Sequence, residues 1–84
     1  MTIFKYPLKQ PGHPAILKLP EGSVPLYAGK QMGDFFLWVM TPSENRETID
    51  RLFMIYGTGH HIPEGSKWIN TFLDGPWVWH AFEI

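Results

Sequence analysis

Eight glycines and eight prolines punctuate this 84-residue chain at short intervals, and the pieces between them have the length and the β-branched or aromatic content of strands. Proline withdraws a ladder donor and glycine turns the chain sharply, so this spacing favours short strands joined by tight turns. The expected fold is all-β, a small antiparallel sheet or half-barrel of about six or seven short strands built from hairpins. Residues 1–84 are expected to form a single compact domain, since a chain of this size is one folding unit with a thin stability margin.

Thr2 to Tyr6 alternates Ile3 and Lys5 on one side with Phe4 and Tyr6 on the other, until Pro7 interrupts. A short apolar run from Ala15 to Leu19, closed by Pro20-Glu21-Gly22, suits an edge strand. Val24 to Gln31 and Phe35 to Thr41 flank Met32-Gly33-Asp34, which is a hairpin signal. Phe35 to Met40 is apolar on both faces, as in a central strand covered twice. Ile49 to Tyr56 fits two periods: Ile49, Leu52, Phe53 and Tyr56 have helical spacing, while Leu52 to Tyr56 also forms a continuous strand-like run. The strand is favoured because the run leads directly into Gly57. Lys67 to Leu73 and Trp77 to Glu83 flank Asp74-Gly75-Pro76, a second hairpin.

With no cysteine there are no disulfides and no thiolate metal site, so association of copies is the expected substitute and a homo-oligomer is anticipated. Four Trp, three Tyr and six Phe exceed what one small core readily hides, which places some rings at an interface or in a pocket. Seven Lys/Arg against eight Asp/Glu leave no broad positive field, which disfavours duplex nucleic acid. No apolar stretch approaches the roughly 20 residues that span a bilayer, and no basic flank precedes an apolar run, so the expected setting is cytoplasmic, without membrane contact.

Gly57-Thr58-Gly59-His60-His61-Ile62-Pro63 concentrates two glycines, a hydroxyl and two imidazoles in one connection. Backbone amides at such a turn form an anion-binding concavity, and Thr58 and His60 add directional polar groups. The lysine of a phosphate-binding loop is missing. His60 and His61 are adjacent, so on an extended backbone they point apart; with His13 and His80 elsewhere and no H-x-H pair, no metal is expected. Trp77 and Trp79 share one face of the last strand, with Val78, His80 and Phe82 on the other. An indole there is either a core residue or a stacking platform for a flat ring, and Trp68 carries the same ambiguity, whereas Trp38 between apolar neighbours suits the core. Lys5, Lys67 and Arg51 are isolated cations suited to neutralising a phosphate. No nucleophile elbow and no paired carboxylates appear, so neither catalysis nor a cofactor is expected.

Phe4-Lys5-Tyr6-Pro7-Leu8, Leu37-Trp38, Tyr56-Gly57-Thr58-Gly59-His60 with Ile62-Pro63, Trp68-Ile69, Thr71-Phe72 and Trp79-His80-Ala81-Phe82-Glu83 together resemble a family of short uncharacterised domains of phage and bacterial genomes. His61 stands where that pattern implies proline, and Asn70 where it implies glycine. The resemblance implies a phage or prophage accessory protein in the bacterial host cell, without catalytic residues to transfer. The expected function is a non-catalytic sponge that sequesters a nucleotide-derived host immune signal, using Lys5, Gly57, Thr58, Gly59, His60, His61, Trp68, Trp79 and His80. The alternative is a protein-binding adaptor or inhibitor with the Trp-rich strand as its interface.

Overall fold

In the computed structural model, which describes residues 1–84, the chain forms strands and no helix: β1 (Thr2–Pro7), β2 (Ala15–Pro20), β3 (Val24–Gln31), β4 (Asp34–Thr41), β5 (Thr48–Gly57), β6 (Lys67–Asp74) and β7 (Trp77–Glu83). They build two antiparallel sheets, a three-stranded one in the order β1-β4-β3 and a four-stranded one in the order β2-β5-β7-β6. The edge strands β3 and β6 lie against each other, so the seven strands curl into an open fold that does not close into a barrel. β1 and β2 are its two free edges.

The β3–β4 hairpin turns through Met32 and Gly33 alone, with Gln31 paired to Asp34. Both turn residues have positive φ, 52° and 86°, the backbone of a type I′ turn whose twist matches that of the strands. Methionine is a poor occupant of that left-handed position, and its side chain is almost wholly solvent-exposed. Met32→Asn is therefore expected to stabilise the protein by about 0.5–1 kcal/mol in chemical denaturation, because asparagine tolerates this conformation.

Alternation sorts β4 cleanly: Phe35, Leu37 and Val39 are buried between the sheets, while Phe36, Trp38 and Met40 lie half-buried on the outer face. Trp38 is thus not a core residue, contrary to the sequence expectation. It packs instead on the outside against Tyr27 and Phe36, at centroid distances of 6.0 and 6.2 Å. Across the layer, Leu17 and Leu19 of β2, Phe53 and Ile55 of β5, Phe72 of β6 and Ala81 of β7 complete the core. β5 is a strand because it is paired on both sides, with β2 and with β7. Phe53 and Ile55 then face inward, while Tyr56 faces outward and is buried edge-on against Phe82, 5.8 Å away. The helical spacing of Ile49, Leu52, Phe53 and Tyr56 is overridden by this pairing.

One side chain ties the two sheets together. Asn70 sits at a register shift in β6, where the extra residue of a bulge re-aims a side chain. Its Oδ1 accepts from the Ala28 N–H at 2.7 Å, and its Nδ2 donates to the Ala28 carbonyl at 2.9 Å. The carboxamide thereby imitates a neighbouring strand's peptide group for β3. Arg51, on the inner face of β5, holds the same end of the fold through Glu83, Nε to Oε2 at 2.6 Å and Nη2 to Oε1 at 2.7 Å, and through the Ser23 carbonyl at 2.6 Å. That bidentate bond raises the guanidinium's pKa above its ordinary value, against the opposing effect of burial.

Candidate functional site

The loop after β5 is braced by its own histidine. Gly57 N–H donates to His60 Nδ1 at 3.1 Å, and His60 N–H donates to the Gly57 carbonyl at 3.3 Å. A Cβ on Gly57 would lie 3.2 Å from the His60 ring and 3.3 Å from the Trp79 ring, so glycine serves close approach here rather than a backbone angle, and a side chain would push these rings back by a few tenths of an ångström. The amides of Thr58 and Gly59 have no hydrogen-bond partner within the chain. They are the groups that remain free for an anion.

Beside this loop stands the β6–β7 hairpin, whose turn at Gly75 and Pro76 sets Asp74 opposite Trp77. Trp77 and Trp79, two residues apart on one face of β7, stack with centroids 6.0 Å apart and planes at 22°. Trp79 is the anchored member: its ring meets Phe35 edge-on at 6.3 Å, and its Nε1 donates to Asp74 Oδ2 at 3.0 Å. Asp74 also receives Lys30 Nζ at 3.1 Å. The indole hydrogen bond first, and the lysine second, hold the Asp74 carboxyl below the usual carboxylate range. Trp77 is the open member, 59% exposed.

The paired indoles divide two adjoining hollows. On one side a cleft of about 340 Å³ is bounded by Gly57, Thr58 and His60 as well as by Pro76 and the two tryptophans. On the other, a shallower hollow of about 510 Å³ runs past Lys30, Asp74 and Phe35 to Gln10. A flat ring laid on Trp77 therefore has the free Thr58 amide within the same cleft, that of Gly59 next along the loop, and a neutralised Lys30–Asp74 pair behind it.

On the opposite face of β7, His80 is suspended between two hydroxyls. Its Nε2 lies 3.0 Å from Thr58 Oγ1 and its Nδ1 2.9 Å from Thr71 Oγ1. Trp68 Nε1, which can only donate, reaches Thr71 Oγ1 at 3.1 Å. In the neutral ring this arrangement suits a directional chain: Trp68 donates to Thr71, Thr71 to His80 Nδ1, and Nε2–H to Thr58. The Thr58 hydroxyl proton is then left pointing away, available to a ligand. Through Thr58 the two faces of β7 meet at the glycine loop.

Over residues 1–84 the chain matches the family described as a domain of unknown function, DUF7352. The chain belongs to this family. No curated protein matches the chain, and no solved structure does.

Of the nine residues expected at the site of this DUF7352 protein, Gly57, Thr58, His60 and Trp79 line the cleft together. Gly59 and His61 are exposed on the same loop, and His80 and Trp68 connect to it through Thr58 and Thr71. Lys5 does not join them. It stands on the outer face of the other sheet, opposite Trp38, with Nζ 3.0 Å from Gln31 Oε1 and 4.5 Å from the centre of the Phe36 ring. No three His, Asp or Glu side chains converge on a common point. Lys30 and Asp74 were missed, and Trp77, weighed with Trp79 as a stacking platform, was not counted among the nine. The Asp-Gly-Pro-Trp hairpin carried a signal for Asp74 and Trp77, since a two-residue turn sets them face to face, whereas Lys30 arrives only through packing of the sheets.

Proposed function

We propose that this protein captures a small nucleotide-like ligand, without turnover, in the cleft between the Trp77–Trp79 pair and the glycine loop. The observation that carries this reading is the exposed Trp77 in one cleft with the unpartnered amide of Thr58, the amide of Gly59 being free on the same loop. Stacking on an indole is worth about 1–3 kcal/mol per base and tolerates any flat ring. The amides, with the Thr58 hydroxyl, receive the anionic group, while Lys30 contributes little charge because Asp74 offsets it. In a phage setting, such capture would withdraw a nucleotide-derived immune signal from the host cytoplasm. The adaptor reading, expected on the Trp-rich strand, is better supported by a different surface, the outer face of the four-stranded sheet, where Trp68 is 62% exposed and Leu73 is exposed further along the same strand.

A thermal-shift panel of cyclic dinucleotides, ADP-ribose derivatives and mononucleotides separates the two. One member should raise the melting temperature and be recovered chemically intact after denaturation. Trp77→Ala should weaken that member about 10–100-fold with the unliganded melting temperature nearly unchanged, because the ring is largely exposed. No shift from any member, with a host protein retained by the wild type and lost from Trp68→Ala, would transfer the function to the outer face.

A further inference from the structure

We propose that two copies of this chain join through β1, edge to edge and antiparallel, about a twofold axis passing beside Phe4. Nothing in this depends on the ligand cleft, whose lining includes no residue of β1.

The direction of the β1 backbone groups follows from one bond. Leu8 N–H donates to the Phe35 carbonyl at 2.9 Å, continuing the register in which Pro7 opposes Phe36. Alternation then turns the peptide groups of Thr2, Phe4 and Tyr6 toward β4, and those of Ile3, Lys5 and Pro7 toward the free edge. Pro7, which has no N–H, is tolerated on that side for this reason. Ile3 and Lys5 are left with unpaired donors and acceptors at an edge without a bulge or covering segment.

The side chains show which occupant fits. Phe4 points to the inner face, opposite the fully buried Val39, yet is 51% exposed, and Ile3 on the outer face is exposed as well. The other free edge, β2, has the same order of outward residues, Ile16, Lys18 and Pro20, but its central inward residue Leu17 is only 8% exposed. The inner face is thus finished at β2 and unfinished at β1.

A second copy completes it in a single register. Facing residues of two strands must lie on the same side of the sheet, so a self-paired β1 can centre on Ile3, Phe4 or Lys5 but not between them. Centring on Lys5 sets like charges face to face and asks Pro7 for a donor it lacks. Centring on Ile3 leaves Tyr6 and Pro7 unpaired. Centring on Phe4 makes Ile3 and Lys5 of the second copy a pair that exchanges both backbone bonds, repeats that pair by symmetry, and sets the two Phe4 rings together over the uncovered part of both cores. The contact is closed, because the same patch serves both copies.

The chain contains no cysteine, which makes the register directly testable in the full-length protein. In a non-hydrogen-bonded pair the Cα atoms are about 4.5 Å apart, within disulfide reach, whereas two Ile3 positions are displaced beyond about 7 Å. Under mild oxidation Phe4→Cys should form a linked dimer at least about tenfold faster than Ile3→Cys. By light scattering the wild type should reach twice the 9.7 kDa of one chain as concentration rises. Ile3→Lys, which opposes Lys5 of the second copy, should raise the dimer dissociation constant about tenfold or more, with recovery in salt, and Ile3→Glu should lower it. These two exposed substitutions keep the test valid if Phe4→Cys folds poorly. A monomer at every concentration, equal linkage of the two cysteine variants, or open-ended growth of the kind produced by β1 pairing with β2 would overturn the proposal.

Discussion

Replacing Asn70 by alanine is expected to cost about 2–4 kcal/mol in equilibrium denaturation, the largest effect of any polar substitution in this fold. Two hydrogen bonds vanish together, at 2.7 and 2.9 Å, but their sum is not the main term. Ala28 is fully buried, so its N–H and C=O would be left in the interior without a partner, and each such group carries a desolvation penalty of about 1–3 kcal/mol. Water entering the seam would recover part of this by separating β3 from β6, which is why the upper figure is set below the sum of two full penalties. Asn70→Asp separates the contributions: it keeps the acceptor for the Ala28 N–H but sets a carboxylate against the carbonyl, so it should be at least as damaging as alanine at neutral pH. Hydrogen exchange should show the Ala28 amide losing protection in both variants ahead of amides in β5 and β7. An unchanged denaturation midpoint in Asn70→Ala would show that β3 and β6 hold together without this bridge.

Asn70 also marks where sequence reasoning stops. The chain's punctuation was sufficient for an all-β fold, for the hairpin at Met32-Gly33 and for the alternation of Trp77 and Trp79 against His80, because each of these is decided within a few residues. Even the ambiguous stretch from Ile49 to Tyr56 resolved toward strand on its link to Gly57. Trp38 went wrong for a physical reason: Phe35 to Met40 is apolar on both faces, so nothing local says which parity points inward. At Asn70 the resemblance implied a glycine, and only the packed sheets reveal that the carboxamide has β3 to bind. The glycine loop was legible as a polar turn, but the engagement of His60 Nδ1 with Gly57 was not, since loop conformation decides which amides remain free. Lone cations are the least legible of all. Lys5 and Arg51 looked alike in the sequence, and their partners, Gln31 and Glu83, lie on other strands.

Arg51→Ala should cost about 2–3 kcal/mol, and the pattern of its rescue is more informative than the loss itself. The guanidinium joins β5 to β7 through both oxygens of Glu83 and reaches across to the Ser23 carbonyl. Breaking a fully buried ion pair costs about 3–5 kcal/mol because the surviving charge is stranded. Here the Arg51 and Glu83 side chains are 18% and 19% exposed, so water reaches the remaining carboxylate and the cost falls below that range. Arg51→Lys should recover less than half, since a single ammonium cannot reproduce the planar fork that meets two carboxylate oxygens at once. Arg51→Met combined with Glu83→Leu should recover more than half, because removing both charges removes the stranded one and leaves apolar bulk beside Leu17 and Phe53. A double-mutant cycle on urea midpoints measures the coupling. Additive losses would mean that Arg51 acts through Ser23 alone, while strong coupling identifies the Arg51–Glu83 pair as the clasp that closes the sandwich at the end away from the Trp77 cleft.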